Sequence, residues 1–278
     1  MDHLDQLEAH SIFLFREAYA SFKKLCMPWS MGKDSNVLIW LAMKAFCGKI
    51  PFHLLHIDTT YEFPEMMEFR EWGRKHYNLD LIVKINQKAL DEGYRYENPK
   101  YNSKEITGAL KAEALKEVLA EHQWDALFTG IRRDEDPIRA KERYFSPRNA
   151  NSEWDFKDQP PEFWGQFTTK VQPGEHVRVQ PLLDWTELDI WLYIRREKIP
   201  IPTMYYARPG KEGKLCRYRS LGCWPITFPV ESSATTIDEV IEELKLTRTS
   251  ERAGRAQDHI DDGSGRTGME DLRIKGFF

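Results

Sequence analysis

Leu25-Cys26-Met27-Pro28-Trp29-Ser30-Met31-Gly32-Lys33-Asp34-Ser35 passes abruptly from an apolar run to small, polar and charged side chains. Beyond it Val37, Leu38, Leu41, Ala42 and Ala45 recur at helical spacing, so the segment reads strand, tight loop, helix. A helix N-terminus in that position turns backbone N–H groups towards an anion. Gly32 permits close backbone approach, Ser30 and Ser35 offer hydroxyl donors, and Lys33 brings a compact positive charge. The plainer alternative is a capped helix start, with Asp34 or Ser35 as the cap. The loop is neither GxxxxGK[ST], since no glycine stands five positions before Gly32, nor GxGxxG.

The same alternation continues outward. An amphipathic helix is expected over 3–24, and the apolar run 52–57 ends on Asp58-Thr59-Thr60 before a helix over 64–76. Residues 81–85 and 126–129 are further strands, with a helix over about 103–122 between them. Residues 177–180 form a fifth strand, followed by a helix over 186–196. Strands alternating with helices imply an α/β fold, a three-layer parallel sheet of about five strands with right-handed crossovers. Ligands of such sheets sit beyond the carboxyl ends of the strands, and the polar clusters 30–35, 58–60 and 130–143 each follow a strand. From Arg208 the pattern turns to glycine, charge and turn residues, with one helix near 237–244. We therefore expect a nucleotide-binding domain over 1–207 and an irregular C-terminal lobe over 208–278, lying over the rim.

Composition narrows the function classes. The 278 residues carry 40 Lys+Arg against 44 Asp+Glu, a formal net charge of −4, with 41% hydrophobic and 30% charged residues. That is globular rather than disordered, and too balanced for a broad nucleic-acid surface. The longest strongly apolar run, 37–43, falls short of the roughly 20 residues of a membrane helix, and the acidic start is unlike a signal peptide. Cys26, Cys47, Cys216 and Cys223 contain no CxxC pair, which excludes a disulfide framework. These features point to the cytoplasm, without nucleic-acid or membrane partners.

Ser-x-Gly-Lys-Asp-Ser after a strand resembles the pyrophosphate loop (PP-loop) of the ATP-pyrophosphatase, or adenine nucleotide α-hydrolase, superfamily. More narrowly the chain is similar to the small, catalytic subunits of ATP sulfurylase (sulfate adenylyltransferase subunit 2). The likeness runs through Leu55-His56-Ile57-Asp58-Thr59, Glu68-Phe69-Arg70, Gly130-Ile131-Arg132-Arg133-Asp134-Glu135 and Arg139-Ala140-Lys141-Glu142-Arg143. It continues in Pro181-Leu182, Asp184-Trp185-Thr186-Glu187, Leu221-Gly222-Cys223-Trp224-Pro225, Thr249-Ser250-Glu251-Arg252 and Lys275-Gly276-Phe277-Phe278. The chain departs from the family at Pro28, which interrupts the first strand, and in the segment 207–218, which is much shorter than the family's insert.

The resemblance implies a nucleotidyltransferase of sulfate assimilation. ATP and sulfate would give adenosine 5′-phosphosulfate and diphosphate, with Mg2+ accompanying the nucleotide. Ser30, Gly32, Lys33, Asp34, Ser35, Asp58, Thr59 and Gly130 are the nucleotide-site residues it implies, and Asp58 and Thr59 are also Mg2+-site candidates; no dedicated metal-ligand set is expected. Related sulfonucleotide reductases bind phosphosulfate with a Gly-x-Arg…Arg loop, which makes Arg132 and Arg139, with Lys33, the catalytic candidates. Arginine forks suit tetrahedral oxyanions, although mixed-charge runs such as 132–143 often pair internally. His56 reads as a packed core histidine rather than a base, and Cys223 as structural. The reductase cousins need a cysteine near the C-terminus, and none follows Cys223 here. The resemblance also implies a GTPase large subunit as partner, with GTP acting only through it. Transfer to another acceptor, or a non-catalytic nucleotide-binding subunit, are the competing readings.

Overall fold

A computed structural model of the chain describes residues 1–210, 213–247 and 251. Of the C-terminal motifs, Thr249, Ser250, Arg252 and Lys275-Gly276-Phe277-Phe278 lie outside the described residues, as does most of the stretch after Leu246.

The first helix, α1 (His3–Ser21), opens on a capping box in which Asp2 and Asp5 exchange backbone and side-chain bonds. There follow β1 (Leu25–Pro28), α2 (Lys33–Ala45), β2 (His53–Ile57), α3 (Pro64–His76) and β3 (Leu81–Lys84). Next come α4 (Gln87–Asp91), α5 (Ser103–Thr107), a π-helical turn (Gly108–Glu113), α6 (Ala114–His122) and β4 (Ala126–Phe128). The chain continues through β5 (Phe145–Arg148), β6 (His176–Val179) and α7 (Glu187–Glu197), capped by Thr186. All five expected strands are present and run parallel, in the order β3-β2-β1-β4-β6. A sixth, β5, joins β6 antiparallel at the edge; the sequence pattern did not predict it.

Alternate residues of the strands feed different layers, as the period of two requires. Leu25, Met27, Leu54, Phe128 and Val179 pack with α1, α2 and α7. Cys26, Leu55 and Leu127 face Leu115, Val118 and Leu119 of α6. Pro28 is harmless at its position. Trp29 N donates to Leu55 O at 2.8 Å, so the missing donor of Pro28 points the other way, where pairing with β4 has already ended at Cys26.

After α7 the described residues form a small antiparallel sheet of β7 (Arg208–Pro209), β8 (Leu215–Arg217) and β9 (Val230–Glu231). Then α8 (Ile237–Leu246) buries Val240 and Ile241 in the main core. No helix among the described residues is long and apolar enough to cross a membrane.

Candidate active site

The chain runs outward in one direction through β1, β2 and β3, and in the other through β4 and β6. Beyond the carboxyl ends of β1 and β4 the connections therefore part, and a crevice opens of the kind that holds ligands in doubly wound sheets. A cavity of about 220 Å³ lies there. Its wall includes Ser30, Gly32, Asp34 and Ser35 after β1, and Gly130 and Arg139 after β4. The rest of the wall brings in His56, Glu62, Lys111, Tyr205, Leu221 and Glu251.

Local physics shapes the loop. Met31 takes the left-handed conformation at φ 59°, and Asn36 ties the turn by donating Nδ2–H to Met31 O at 3.0 Å while accepting Trp29 Nε1–H at 2.9 Å. Gly32 is the N-cap of α2 and no side chain caps the helix, so the alternative of a cap at Asp34 or Ser35 does not hold. Those two lie inside the first turn. Ser35 Oγ donates back to Gly32 O at 2.9 Å and sits 3.3 Å from Ser30 Oγ. The Lys33 backbone N–H donates to Tyr205 Oη at 2.8 Å. A Cβ on Gly130 would meet Leu38 Cδ1 at 3.1 Å, so the end of β4 presses closely on α2.

The cations stand differently from expectation. Lys33 and Arg132 are fully buried and do not reach the cavity wall. Glu251 is wedged before them. One of its oxygens takes Lys33 Nζ and the other takes Arg132 Nη2 at 2.5 Å. Asp34 also binds both, at 3.1 Å from Lys33 Nζ, and Arg132 has Asp134 Oδ1 at 3.0 Å and Glu135 Oε1 at 3.5 Å. Burial resists the charge on Glu251, but Lys33 and Arg132 overcome it and hold the carboxyl well below its ordinary range. Arg139 reaches the cavity and pairs with Glu135, with Asp136 at 3.5 Å. Internal pairing within 132–143 is therefore real, alongside any anion role.

At the end of β2, Asp58 accepts from Arg70 Nη1 and from Thr60 N, each at 2.9 Å. Thr59 donates to Glu62 from its hydroxyl at 2.8 Å and lies 3.3 Å from the buried Cys223 Sγ. Neither Asp58 nor Thr59 lines the cavity itself. His56 is 3% exposed, in keeping with a packed position. Its Nδ1 lies 3.1 Å from Trp29 O, and its buried Nε2 has no hydrogen-bond partner among the described residues. Such an orphan costs about 1–3 kcal/mol unless something binds it. Burial holds the imidazole below its ordinary pKa, against the pull of the Glu62 carboxylate.

Sequence reading missed Lys111, Tyr205 and Glu62, and gave Glu251 no role. Lys111 lies in the π-helical turn, a distortion that recurs at functional sites, and makes no ion pair among the described residues.

Comparisons with known proteins follow the same lines. Residues 24–229 match the family described as phosphoadenosine phosphosulfate reductase domain. Sulfate adenylyltransferase subunit 2 of Trichlorobacter lovleyi is 44% identical, covering 100% of this chain and 99% of its own. That of Saccharophagus degradans is 45% identical over 100% and 98%. Both alignments are longer than this chain, so the relatives hold residues at positions this chain lacks. Among solved structures, phosphoadenylyl-sulfate reductase from Candida auris superposes with a TM-score of 0.55 at 18% identity, over 81% of this chain and 96% of its own. FMN adenylyltransferase from Candida glabrata gives 0.55 at 20% identity, over 98% and 79%. At those identities the likeness is one of fold.

Proposed function

Because the chain belongs to the sulfate adenylyltransferase subunit 2 family, within the phosphoadenosine phosphosulfate reductase domain family, we propose a residue-level account of its reaction. It is a nucleotidyltransferase that moves adenylyl from ATP to sulfate and releases diphosphate. The observation that carries the account is the meeting of the 30–35 loop, Gly130 and Arg139 on one cavity wall.

Diphosphate leaves onto the loop, where Ser30, Gly32, Asp34 and Ser35 line the cavity at the N-terminus of α2. Arg139 and Arg132 take the sulfate and the α-phosphate, with Lys33 neutralising the charge that develops between them. For Lys33 and Arg132 this requires the Glu251 carboxylate to give way. A sulfate oxygen attacks the α-phosphorus in line. Sulfate is already an anion, so no general base is required, and rate comes from alignment and charge neutralisation. Asp58 and Thr59 support the nucleotide site from behind the wall, Thr59 through its bond to Glu62.

Asp34 is the residue that would hold the Mg2+ accompanying the ATP phosphates. Asp34 is a carboxylate on the cavity wall with a side chain 19% exposed, which suits an ion that keeps several waters and takes one or two protein oxygens. When bound, the ion would supply charge neutralisation on the triphosphate.

The name of the relatives, subunit 2, implies a larger partner subunit. We take that partner to be a GTPase whose hydrolysis drives the uphill synthesis, with the lobe over 208–278 as the contact and the cytoplasm as the compartment. A reductase reading is disfavoured because no cysteine follows Cys223. Exchange of labelled diphosphate into ATP tests the account. Sulfate-dependent exchange supports it, exchange with another oxyanion alone redirects the acceptor, and no exchange with the partner and GTP present overturns it.

A further inference from the structure

Beside the cavity, His56, Asp58 and Glu62 bring an imidazole nitrogen and two carboxylate oxygens within 4.8 Å of one another. Trp29 O can only accept, so the 3.1 Å contact fixes the proton of His56 on Nδ1. Nε2 is then left as a lone pair, buried and without a hydrogen-bond partner among the described residues, the one nitrogen of the ring free to bind an ion. A metal-ligating histidine has this arrangement, its second nitrogen donating to a backbone carbonyl. Charge agrees. The two carboxylates face one guanidinium, that of Arg70, 2.9 Å from Asp58, which leaves the cluster with a net negative charge while His56 is neutral.

We propose that His56 Nε2, Asp58 and Glu62 form a binding site for a divalent transition-metal ion, Mn2+ or Zn2+, beside the nucleotide cavity. The imidazole separates this ion from the Mg2+ that travels with ATP, because Mg2+ keeps an oxygen shell whereas an imidazole nitrogen binds first-row transition ions, Zn2+ more strongly than Mn2+. Metal–ligand bonds of about 2.1 Å set ligands roughly 3–4 Å apart, so the cluster closes by about an ångström on binding. Glu62 supplies the movement. It is half-buried in the loop before α3, and its carboxylate turns from the Thr59 hydroxyl, 2.8 Å away, towards Nε2. The ion would tie the end of β2 to that loop and add positive charge to the cavity wall.

The test uses the full chain stripped of metal by chelator, without ATP or sulfate, so its outcome is separate from that of the adenylyl-transfer reading. Mn2+ is titrated in and free ion followed by electron paramagnetic resonance, with Zn2+ titrated calorimetrically. The expected result is one ion per chain, nitrogen coupling in the pulsed spectrum of bound Mn2+, and retention in a hundredfold excess of Mg2+. Glu62→Gln, a near-isosteric change at a half-buried position, should weaken binding at least tenfold, and His56→Gln should abolish the nitrogen coupling. Absence of stoichiometric binding, displacement by equimolar Mg2+, or unchanged affinity in a folded Glu62→Gln protein would overturn the proposal.

Discussion

Replacing Glu251 by glutamine keeps the side chain's shape and removes its charge, and the structure sets the size of the effect. The carboxylate joins two buried cations, Lys33 and Arg132, and breaking a buried pair costs about 3–5 kcal/mol. Asp34 and Asp134 remain beside those cations, so the lower end, about 3 kcal/mol, applies. For a chain of this size that corresponds to a fall in Tm of about 6–12 °C. Diphosphate should respond in the opposite sense. In the wild type it competes with a carboxylate for both cations; in Glu251→Gln it does not. Regaining even one charge-assisted bond of about 1.5 kcal/mol tightens diphosphate binding roughly tenfold. Calorimetric titration with diphosphate, and thermal melts with and without it, measure both. The pH dependence supplies a sign check. Because the folded Glu251 carboxyl lies below its ordinary value, its stabilisation is present above about pH 4.5 and is lost as pH falls below it. Wild-type Tm should therefore drop more steeply than that of Glu251→Gln on acidification. A variant that binds diphosphate no more tightly than wild type would refute the competition between carboxylate and anion.

Other outcomes follow from the same geometry. Lys111→Ala should raise KM for ATP several-fold with little change in Tm, because the ammonium reaches the cavity and holds no ion pair among the described residues; unchanged KM would remove Lys111 from the site. Arg132→Lys keeps the charge but loses the fork, so it should lose sulfate-dependent turnover at least tenfold while retaining ATP binding, as read by equilibrium titration. Gly130→Ala drives a Cβ against Leu38 and the first turn of α2, and should cost about 1–3 kcal/mol of stability together with diphosphate affinity. A Gly130→Ala protein with normal melting would show that the contact yields.

The parts of this fold that were legible in the sequence share a local cause. Four of the five parallel strands are short, mainly apolar runs closed by polar turn residues, and β6 alternates as His176-Val177-Arg178-Val179, so local pattern suffices. Phe145-Ser146-Pro147-Arg148 is not such a run. Its burial depends on antiparallel pairing with β6, Phe145 against Val179 and Arg148 against His176, and no local pattern announces that. The anion loop was legible as a helix start, and the alternative of a side-chain cap fails because the left-handed turn at Met31 puts Gly32 where such a cap would normally stand. Glu251 lies 218 residues from Lys33, and such pairing is invisible to spacing. His56 read as packed, which it is; its idle Nε2 appears only once Trp29 O is seen to fix the tautomer.

The antiparallel edge strand has a consequence for the solution behaviour of the chain. Gln180 N donates to Tyr144 O, so even-numbered residues of β5 bond inward to β6 and odd-numbered ones turn their N–H groups outward. Of the outward positions, Phe145 gives its N–H to Glu162 at 2.8 Å and Pro147 has none to give. The flank thus offers no free donor to the backbone of another molecule. At the opposite flank β3 is four residues long and carries Lys84, tethered to Glu121 at 2.6 Å. Exposed strand flanks template intermolecular β-aggregation unless they are short, charged or broken by proline. Both flanks meet those conditions, and a concentrated solution of the chain should resist growth into extended sheets, with Pro147→Val the substitution that weakens this protection.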